Sequence, residues 1–165
     1  MIFTLARAIT YAVLFIGFFL VFLPARVLER AGIQAPASFG LPQVAGGVLA
    51  AAGMVLALTC VGAFAVIGKG TPAPFDPPRR LVTRGPYALV RNPMYLGAWL
   101  ALGGAALYFH STALLLFALG FLAATVAFVH GYEEPALRRK FGVEYEAYCT
   151  RVGRWWPRAP SNGTP

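Results

Sequence analysis

Charged residues are scarce in this sequence. Asp, Glu, Lys and Arg make up 12% of the 165 residues, and hydrophobic residues make up 58%. A soluble domain carries about 25% charged residues. This composition excludes a disordered chain and a collagen, and it argues against an ordinary soluble globule. The length predicts a single domain.

Cysteine is also scarce, and Cys60 and Cys149 are the two examples. Cys60 falls inside an apolar stretch, whereas Cys149 falls in a polar C-terminal region. These two thiols exclude a disulfide-stapled secreted module and predict neither a disulfide nor a metal site. The sequence also contains no P-loop, no GxGxxG fingerprint and no visible Ser/His/Asp triad. Any chemistry must therefore come from other motifs.

Three stretches contain no Asp, Glu, Lys or Arg: residues 8–25, 31–68 and 92–132. A bilayer core about 30 Å thick needs about 20 helical residues. We therefore predict an all-α integral membrane bundle with about four transmembrane helices and a C-terminal cytoplasmic amphipathic helix. The predicted spans are about 8–23, 42–67, 93–108 and 112–129, and the last two form a hairpin that turns at Phe109-His110-Ser111. A cleaved signal peptide is the alternative for the first span.

The basic residues predict the orientation of these spans. With the N-terminus inside, twelve of the fourteen Lys and Arg residues face the cytoplasm, and only Arg26 and Arg30 fall outside. We therefore expect an inner (cytoplasmic) membrane protein with both termini cytoplasmic. The net charge of +8 then marks the inner face and its anionic lipids. Membrane lipids are thus expected partners, nucleic acid is not, and no obligate protein partner is evident.

Glycine and alanine are abundant in the predicted spans, for example at Gly46-Gly47 and Gly103-Gly104. Small residues let membrane helices approach one another closely. Tight helix packing accounts for these residues without any functional role.

Prolines and glycines interrupt the connector between the second and third spans, residues 68–92. This segment therefore cannot form one continuous helix. Apolar residues such as Leu81, Val82 and Tyr87 are unusual for a solvated linker. We predict an ordered loop that lies against the inner membrane face.

A cytoplasmic helix and tail are predicted over residues 133–165. Pro135 suits the first turn of a new helix, and the acidic Glu133 and Glu134 suit its N-terminus. Apolar residues then recur with helical spacing, at Leu137, Phe141, Tyr145, Tyr148 and Val152. The opposite face is polar, with Arg138, Arg139, Glu146 and Arg151. This pattern predicts one amphipathic helix.

Two motifs in these cytoplasmic segments resemble a known family. Residues 81–97 resemble the first block of isoprenylcysteine carboxyl methyltransferases and their bacterial relatives. The sequence here is LVTRGPYALVRNPMYLG, and the family pattern is L-V-T-x-G-x-Y-x-x-x-R-H-P-x-Y-x-G. Residues 133–157 resemble the second block of the same family. The sequence here is EEPALRRKFGVEYEAYCTRVGRWWP, and the family pattern is E-E-x-x-L-x-x-x-F-G-x-E-Y-x-x-Y-x-x-x-V-x-R-x-x-P. Together the blocks cover about half of the chain, residues 79–157. Phospholipid methyltransferases and membrane sterol reductases share a looser version of the pattern.

The resemblance implies a membrane methyltransferase that uses S-adenosylmethionine, held in a cytoplasmic pocket between the connector and the C-terminal helix. Carried over position by position, the implied cofactor-binding residues are Arg79, Arg80, Leu81, Val82, Tyr87, Asn92, Pro93, Met94, Tyr95 and Glu133. The hairpin brings Asn92-Pro93 and Glu133 to the same membrane face, so the sequence predicts that these residues meet.

Two departures from the family pattern restrict the role of residue 92 and the choice of methyl acceptor. Asn92 replaces the usual His, so it retains hydrogen bonding but cannot become charged. The Arg that precedes the Glu pair in the prenylcysteine enzymes is absent, because Phe128-Val129-His130 stands there. A prenylcysteine carboxylate is therefore a less favoured acceptor.

The acceptor stays open at this point, as a lipophilic or small carboxylate, thiol or amine. The residue that acts as general base, if any, is also open among Glu133, Glu134 and a tyrosine. Two alternatives to a methyltransferase remain: an NADPH-dependent membrane reductase of sterols or polyprenoids, and a non-enzymatic membrane scaffold.

Overall fold

A computed structural model describes residues 10, 13–69 and 78–158 of the chain. Parts of three predicted segments lie outside this description: the start of the span at 8–23, residues 70–77 of the connector, and the tail from 159 onward. Every regular element in the described ranges is a helix, and these ranges contain no strand. The all-α prediction is confirmed for them.

Six α-helices form the described fold, and four of them are continuous with π-helical turns. The α-helices are α1 (Leu23–Arg30), α2 (Leu41–Ala63), α3 (Pro93–Tyr108), α4 (Thr112–Phe128), α5 (Glu134–Phe141) and α6 (Val143–Arg151). The π-helical turns are Gly17–Phe22 before α1, Phe64–Gly68 after α2 and Val129–Glu133 between α4 and α5. A 3₁₀ turn, Gly85–Ala88, lies in the connector.

The first helix extends beyond the predicted end of its span. Helical structure continues through Pro24 to Arg30, whereas the prediction ended near residue 23. Pro24 comes directly after the π-helical turn, where the hydrogen-bond register changes, so its missing N–H does not interrupt the helix. Phe19 packs against Phe121 of α4, with ring centroids 5.8 Å apart.

Helices α2 and α3 form a close-packed seam because glycines face each other across it. A Cβ atom built on Gly46 would lie 2.7 Å from the carbonyl oxygen of Gly104. One built on Gly97 would lie 2.7 Å from the carbonyl oxygen of Gly53. No side chain fits in either place, so the two backbones touch. Tight packing of small residues is what the composition predicted.

Within the part of the chain that the structure describes, two helical stretches are long and apolar enough to cross a membrane. Leu41–Gly68 has 28 residues and a maximum mean hydropathy of 2.3, and Thr112–Phe141 has 30 residues and 2.4. Only 22% and 28% of their most apolar windows are buried inside the protein. Core helices of a soluble protein would be mostly buried. The exposed apolar surface therefore suits contact with lipid. The total of four spans stays a prediction.

The hairpin turn lies at the predicted position. Helix α3 ends at Tyr108, and His110 adopts a left-handed conformation with φ of 48°. Ser111 caps α4, and its Oγ accepts a hydrogen bond from the Leu114 N–H at 3.1 Å. This turn sends α4 back alongside α3, so that their far ends, near Asn92 and Glu133, meet.

The predicted start of a new helix at Glu133 is wrong. Helix α4 continues through the π-helical turn Val129–Glu133 into α5 without interruption. Pro135 has no N–H and so cannot donate a hydrogen bond to the preceding turn. The hydrogen-bond register changes at the π-helical turn just before it, so the helix continues despite this missing bond. Glu133 thus lies inside a continuous helix and does not cap a new one.

The single amphipathic helix is also wrong, because Gly142 divides it into α5 and α6. Gly142 has φ of 50°, which favours glycine, and it ends α5. The predicted apolar stripe nevertheless packs together: Tyr145, Tyr148 and Val152 are buried in one cluster with Leu137 and Phe141. Both short helices therefore cover the connector with a common apolar face.

Candidate functional site

The connector and the C-terminal region meet at one end of the bundle. We call residues 78–92 and 129–158 the polar end. The Arg91 N–H donates to the Gly153 carbonyl at 2.8 Å, and Asn92 Nδ2 donates to the Arg154 carbonyl at 3.2 Å. The Tyr148 hydroxyl donates to the Tyr87 carbonyl at 2.6 Å. These bonds tie segments about 60 positions apart, so the polar end is an ordered structure.

A partly enclosed cavity lies inside the polar end. Its wall is largely aromatic, with contributions from Phe64, Tyr87, Phe128, Tyr132, Tyr145 and Tyr148. Its charged lining residues are Arg91, Glu133, Glu134 and Lys140. A mostly apolar cavity with a few converging polar groups is typical of a small-molecule site.

Glu133 presents a carboxylate to this cavity. Its Oε2 accepts a hydrogen bond from the Tyr95 hydroxyl, at 2.9 Å. No Lys or Arg in the described ranges forms an ion pair with it. The carboxylate therefore meets a neutral partner on one side and the cavity on the other. A cationic ligand would supply the missing partner.

Glu134 has the opposite environment, since two arginines hold it. Arg91 Nη2 lies 2.8 Å from its Oε1, and Arg154 Nη2 lies 2.7 Å from its Oε2. The Glu134 side chain is 4% exposed. The two arginines thus compensate its negative charge inside the protein. The role of this carboxylate is therefore to stabilise the fold.

Arg91 retains one donor that has no acceptor. Its Nη1 reaches the carbonyl oxygens of Val152 and Cys149, at 3.3 and 3.4 Å, and its Nη2 binds Glu134. Its Nε is buried and has no hydrogen-bond partner. Such a donor is costly unless it is satisfied. Arg91 also lines the cavity, so its guanidinium places a positive charge beside it.

Tyr87 lines the cavity and lies in an apolar cluster between the connector and the helices. Its ring packs edge-on against Phe64, with centroids 5.4 Å apart, and it lies in a buried cluster with Cys60 and Val82. Burial raises the pKa of the Tyr87 phenol well above its usual range. The phenol is therefore neutral at physiological pH and is not a phenolate base.

The cofactor-binding residues predicted from the sequence fall into three groups. Leu81, Val82, Tyr87, Asn92 and Glu133 line the cavity.

The second group stands behind this wall. Tyr95 reaches it through Glu133, Met94 packs against the cluster around Tyr87, and the buried Pro93 begins α3.

Arg79 and Arg80 form the third group, since their side chains are exposed and do not line the cavity. Their backbone N–H groups both donate to the Gly68 carbonyl, at 2.9 and 3.2 Å. These bonds anchor the connector to the end of α2. Asn92 and Glu133 line one cavity, and Tyr95 bonds to Glu133, as the predicted meeting of Asn92-Pro93 with Glu133 requires. Neither Arg79 nor Arg80 lines this cavity.

Several lining residues were missed by the sequence reasoning, most importantly Arg91. It stands directly before Asn92 in the first motif, so its position was a usable signal. The aromatic residues Phe128, Tyr132, Tyr145 and Tyr148 follow helical spacing, which is equally typical of a structural core. Only the fold shows that they enclose a cavity.

The described residues form a helical protein with apolar helices suited to lipid and a cavity at one end of the bundle. The chain belongs to the phospholipid methyltransferase family, whose model matches residues 41–144. The match runs from the start of α2 into α6 and includes the hairpin, the connector and both glutamates. The protein is thus a membrane methyltransferase in the general sense of that family. Neither curated proteins nor solved structures give a match.

Proposed function

We propose that the protein transfers a methyl group from S-adenosylmethionine to a lipid amine at the cytoplasmic face of the inner membrane. One observation carries the proposal: the acidic Glu133 and the basic Arg91 line the same cavity, and Glu133 forms no ion pair within the described ranges. The donor carries complementary groups, since its amino acid part has an ammonium and a carboxylate. Family membership supports methyl transfer as the reaction class.

The lining residues fit this donor. Glu133 would hold its ammonium or ribose hydroxyls, and the positive charge of Arg91 would attract its carboxylate. Tyr87 and the other aromatic rings would pack against adenine or face the sulfonium. Leu81, Val82 and Asn92 complete the proposed shell, with Pro93, Met94 and Tyr95 behind it. Arg79 and Arg80 are exposed and do not line the cavity, so their side chains would act only from the solvent side.

The chemistry of methyl transfer makes few demands on the protein. The donor supplies an activated methyl group on a sulfonium, so no strong acid is needed. Tyr95 fixes one carboxylate oxygen of Glu133, and the aromatic wall excludes water. Orientation and water exclusion are therefore the main contributions of these residues. An amine acceptor must lose a proton before it attacks.

A lipid amine is the acceptor that the site favours. Phe128 and Tyr132 stack with ring centroids 5.2 Å apart, line the cavity and are 37% and 46% exposed. They can therefore contact both the lipid phase and the cavity. Aromatic faces attract methylated ammonium groups. The name of the family points to the same chemistry, because a phospholipid can carry a head-group amine.

Thermal unfolding of the detergent-solubilised protein tests the donor. The unfolding temperature should rise with S-adenosylmethionine and with S-adenosylhomocysteine, and it should not change with NADPH, because a ligand that binds only the native state stabilises it. Stabilisation by NADPH alone would instead support a membrane reductase. No response to any of the three would support a scaffold and overturn the proposal.

A further inference from the structure

Asn92 is held from two directions at the start of α3. Its carbonyl accepts the Leu96 N–H at 3.3 Å, which ties its backbone to the first turn of the helix. Its side-chain Nδ2 donates to the Arg154 carbonyl at 3.2 Å, next to the bond between the Arg91 N–H and the Gly153 carbonyl. These bonds fix the position of the Asn92 amide, and the residue as a whole is 7% exposed.

The bond to Arg154 also determines which way the amide is turned. A carbonyl oxygen can only accept a hydrogen bond, so the amide nitrogen must face it and the amide oxygen lies on the other branch. Arg154 does not line the cavity, whereas Asn92 does. The amide nitrogen is therefore directed away from the cavity, and Oδ1 is the polar atom of Asn92 that is left to face it.

Asn92 Oδ1 differs from the buried Arg91 Nε in being accessible to a ligand. The described residues give Oδ1 no hydrogen-bond donor, yet it is not among their buried atoms without a partner, a set that consists of Arg91 Nε alone. An oxygen that is unbonded and outside that set keeps some exposed surface. Because Asn92 lines the cavity, this surface belongs to the cavity wall.

A hydrogen-bond acceptor at this place distinguishes between classes of methyl acceptor. A neutral primary amine can donate one N–H to Oδ1 and keep its lone pair for the methyl carbon. A carboxylate has only acceptor oxygens, so it would face Oδ1 without a hydrogen bond. A site whose polar groups are left unpaired discriminates strongly against the ligand that leaves them so.

The transfer to an amine balances without a further reactant. The acceptor ammonium first gives a proton to water and becomes a neutral amine. The N–C bond then forms as the C–S bond of the sulfonium breaks, and the electron pair of the C–S bond stays on sulfur.

We propose that Asn92 is a specificity-determining residue, whose Oδ1 selects an amine as methyl acceptor and excludes a carboxylate. The inference rests on the proposed function and deepens it, while Glu133 and Arg91 stay with the donor. It goes beyond the family resemblance, because the family pattern has His at this position. A neutral imidazole can donate a hydrogen bond as well as accept one, so His would not exclude a carboxylate in this way.

The ratio of two methylation rates separates this role from donor binding. Detergent micelles present either phosphatidylethanolamine, a primary amine, or palmitic acid, a carboxylate, to the full chain. For each lipid, kcat/KM is measured at saturating S-adenosylmethionine, with the unsubstituted protein, Asn92→His and Asn92→Ala. Gln43→Ala is the matched control, because Gln43 is also a buried amide, 8% exposed, but does not line the cavity.

The unsubstituted protein and Gln43→Ala should methylate the amine and favour it strongly over the carboxylate. Asn92→His should lower the amine-to-carboxylate ratio about tenfold or more, because an imidazole N–H can donate to the carboxylate. Asn92→Ala should also lower this ratio, through a slower reaction of the amine alone. It supplies the test if Asn92→His does not fold.

Three outcomes would contradict these ideas in different ways. An unchanged ratio in both variants, including an equal loss of both rates, would show that Asn92 serves only the donor or the fold, and it overturns the selection alone. An unsubstituted protein that prefers the carboxylate overturns the selection and the amine acceptor but leaves methyl transfer in place. An unsubstituted protein that methylates neither lipid overturns the proposed function and the selection together.

Discussion

The seam between α2 and α3 and the polar end are held together by opposite means. In the seam, glycines bring two backbones into contact without any charged group. At the polar end, a buried carboxylate bridges two arginines, and aromatic rings surround them. The seam only sets the distance between helices. Within the described ranges, Glu133 at the polar end has no ion-pair partner and Arg91 Nε has no hydrogen-bond acceptor, and both cost stability.

We expect removal of a charged side chain at the polar end to lower the unfolding free energy more than a substitution in the seam. Replacing Glu134 by Ala leaves Arg91 and Arg154 without their common partner. Breaking such a buried pair costs about 3–5 kcal/mol of unfolding free energy. Chemical denaturation in detergent measures this loss. Glu146→Ala is the control, because its ion pair with Arg138 is exposed and such pairs contribute little to stability. Equal losses would refute the buried bridge.

A side chain in the seam should have the next largest effect. A Cβ on Gly53 would lie 2.9 Å from Leu100 Cβ and would also overlap backbone atoms of α3. Gly53→Ala should therefore lower the unfolding free energy by about 3 kcal/mol, at the upper end for overpacking. Gly62→Ala is the matched control in the same helix, since open space surrounds its Cβ position. If both variants unfold at the same temperature, the seam is not close-packed.

Glu133→Gln should separate binding from stability. The amide keeps an oxygen for the Tyr95 hydroxyl but loses the charge that would face the donor. Affinity for S-adenosylmethionine should fall by about 1.5–3 kcal/mol, the value of a charged hydrogen bond. The unfolding temperature of the ligand-free protein should change little. A variant that binds as well as the unsubstituted protein removes Glu133 from the donor site.

The smallest effect is expected at the bond that joins the connector to α6. Tyr148→Phe removes the hydroxyl that donates to the Tyr87 carbonyl at 2.6 Å. A neutral hydrogen bond of this kind contributes about 1 kcal/mol. Thermal unfolding checks the value, with Tyr132→Phe as a control at an exposed ring. A loss as large as that of Glu134→Ala would show that the connector depends on this bond.

The amount that the sequence could predict differs between the two regions. Charge-free stretches and small residues predict apolar helices and their close packing, because both follow from local composition. The meeting of Tyr95 and Glu133 also followed, from the hairpin turn near His110. These features need no knowledge of side-chain partners.

The polar end could be predicted only in part, because its contacts join distant segments. Pro135 locally favours a new helix, but the π-helical turn before it lets the helix continue. The pairing of Arg91 and Arg154 with Glu134 has no local pattern at all. Gly142 is different, since a glycine inside a helical pattern was a usable signal for the break between α5 and α6.

Transfer of label from a methyl-tritiated donor tests the central claim most directly. Membranes that contain the unsubstituted protein, Glu133→Gln or the control Glu146→Gln are incubated with labelled S-adenosylmethionine, and the lipids are extracted. The account predicts labelled amine lipid with the unsubstituted protein and with Glu146→Gln, and strongly reduced label with Glu133→Gln. Extracted lipid without label, or equal label with Glu133→Gln, would contradict it.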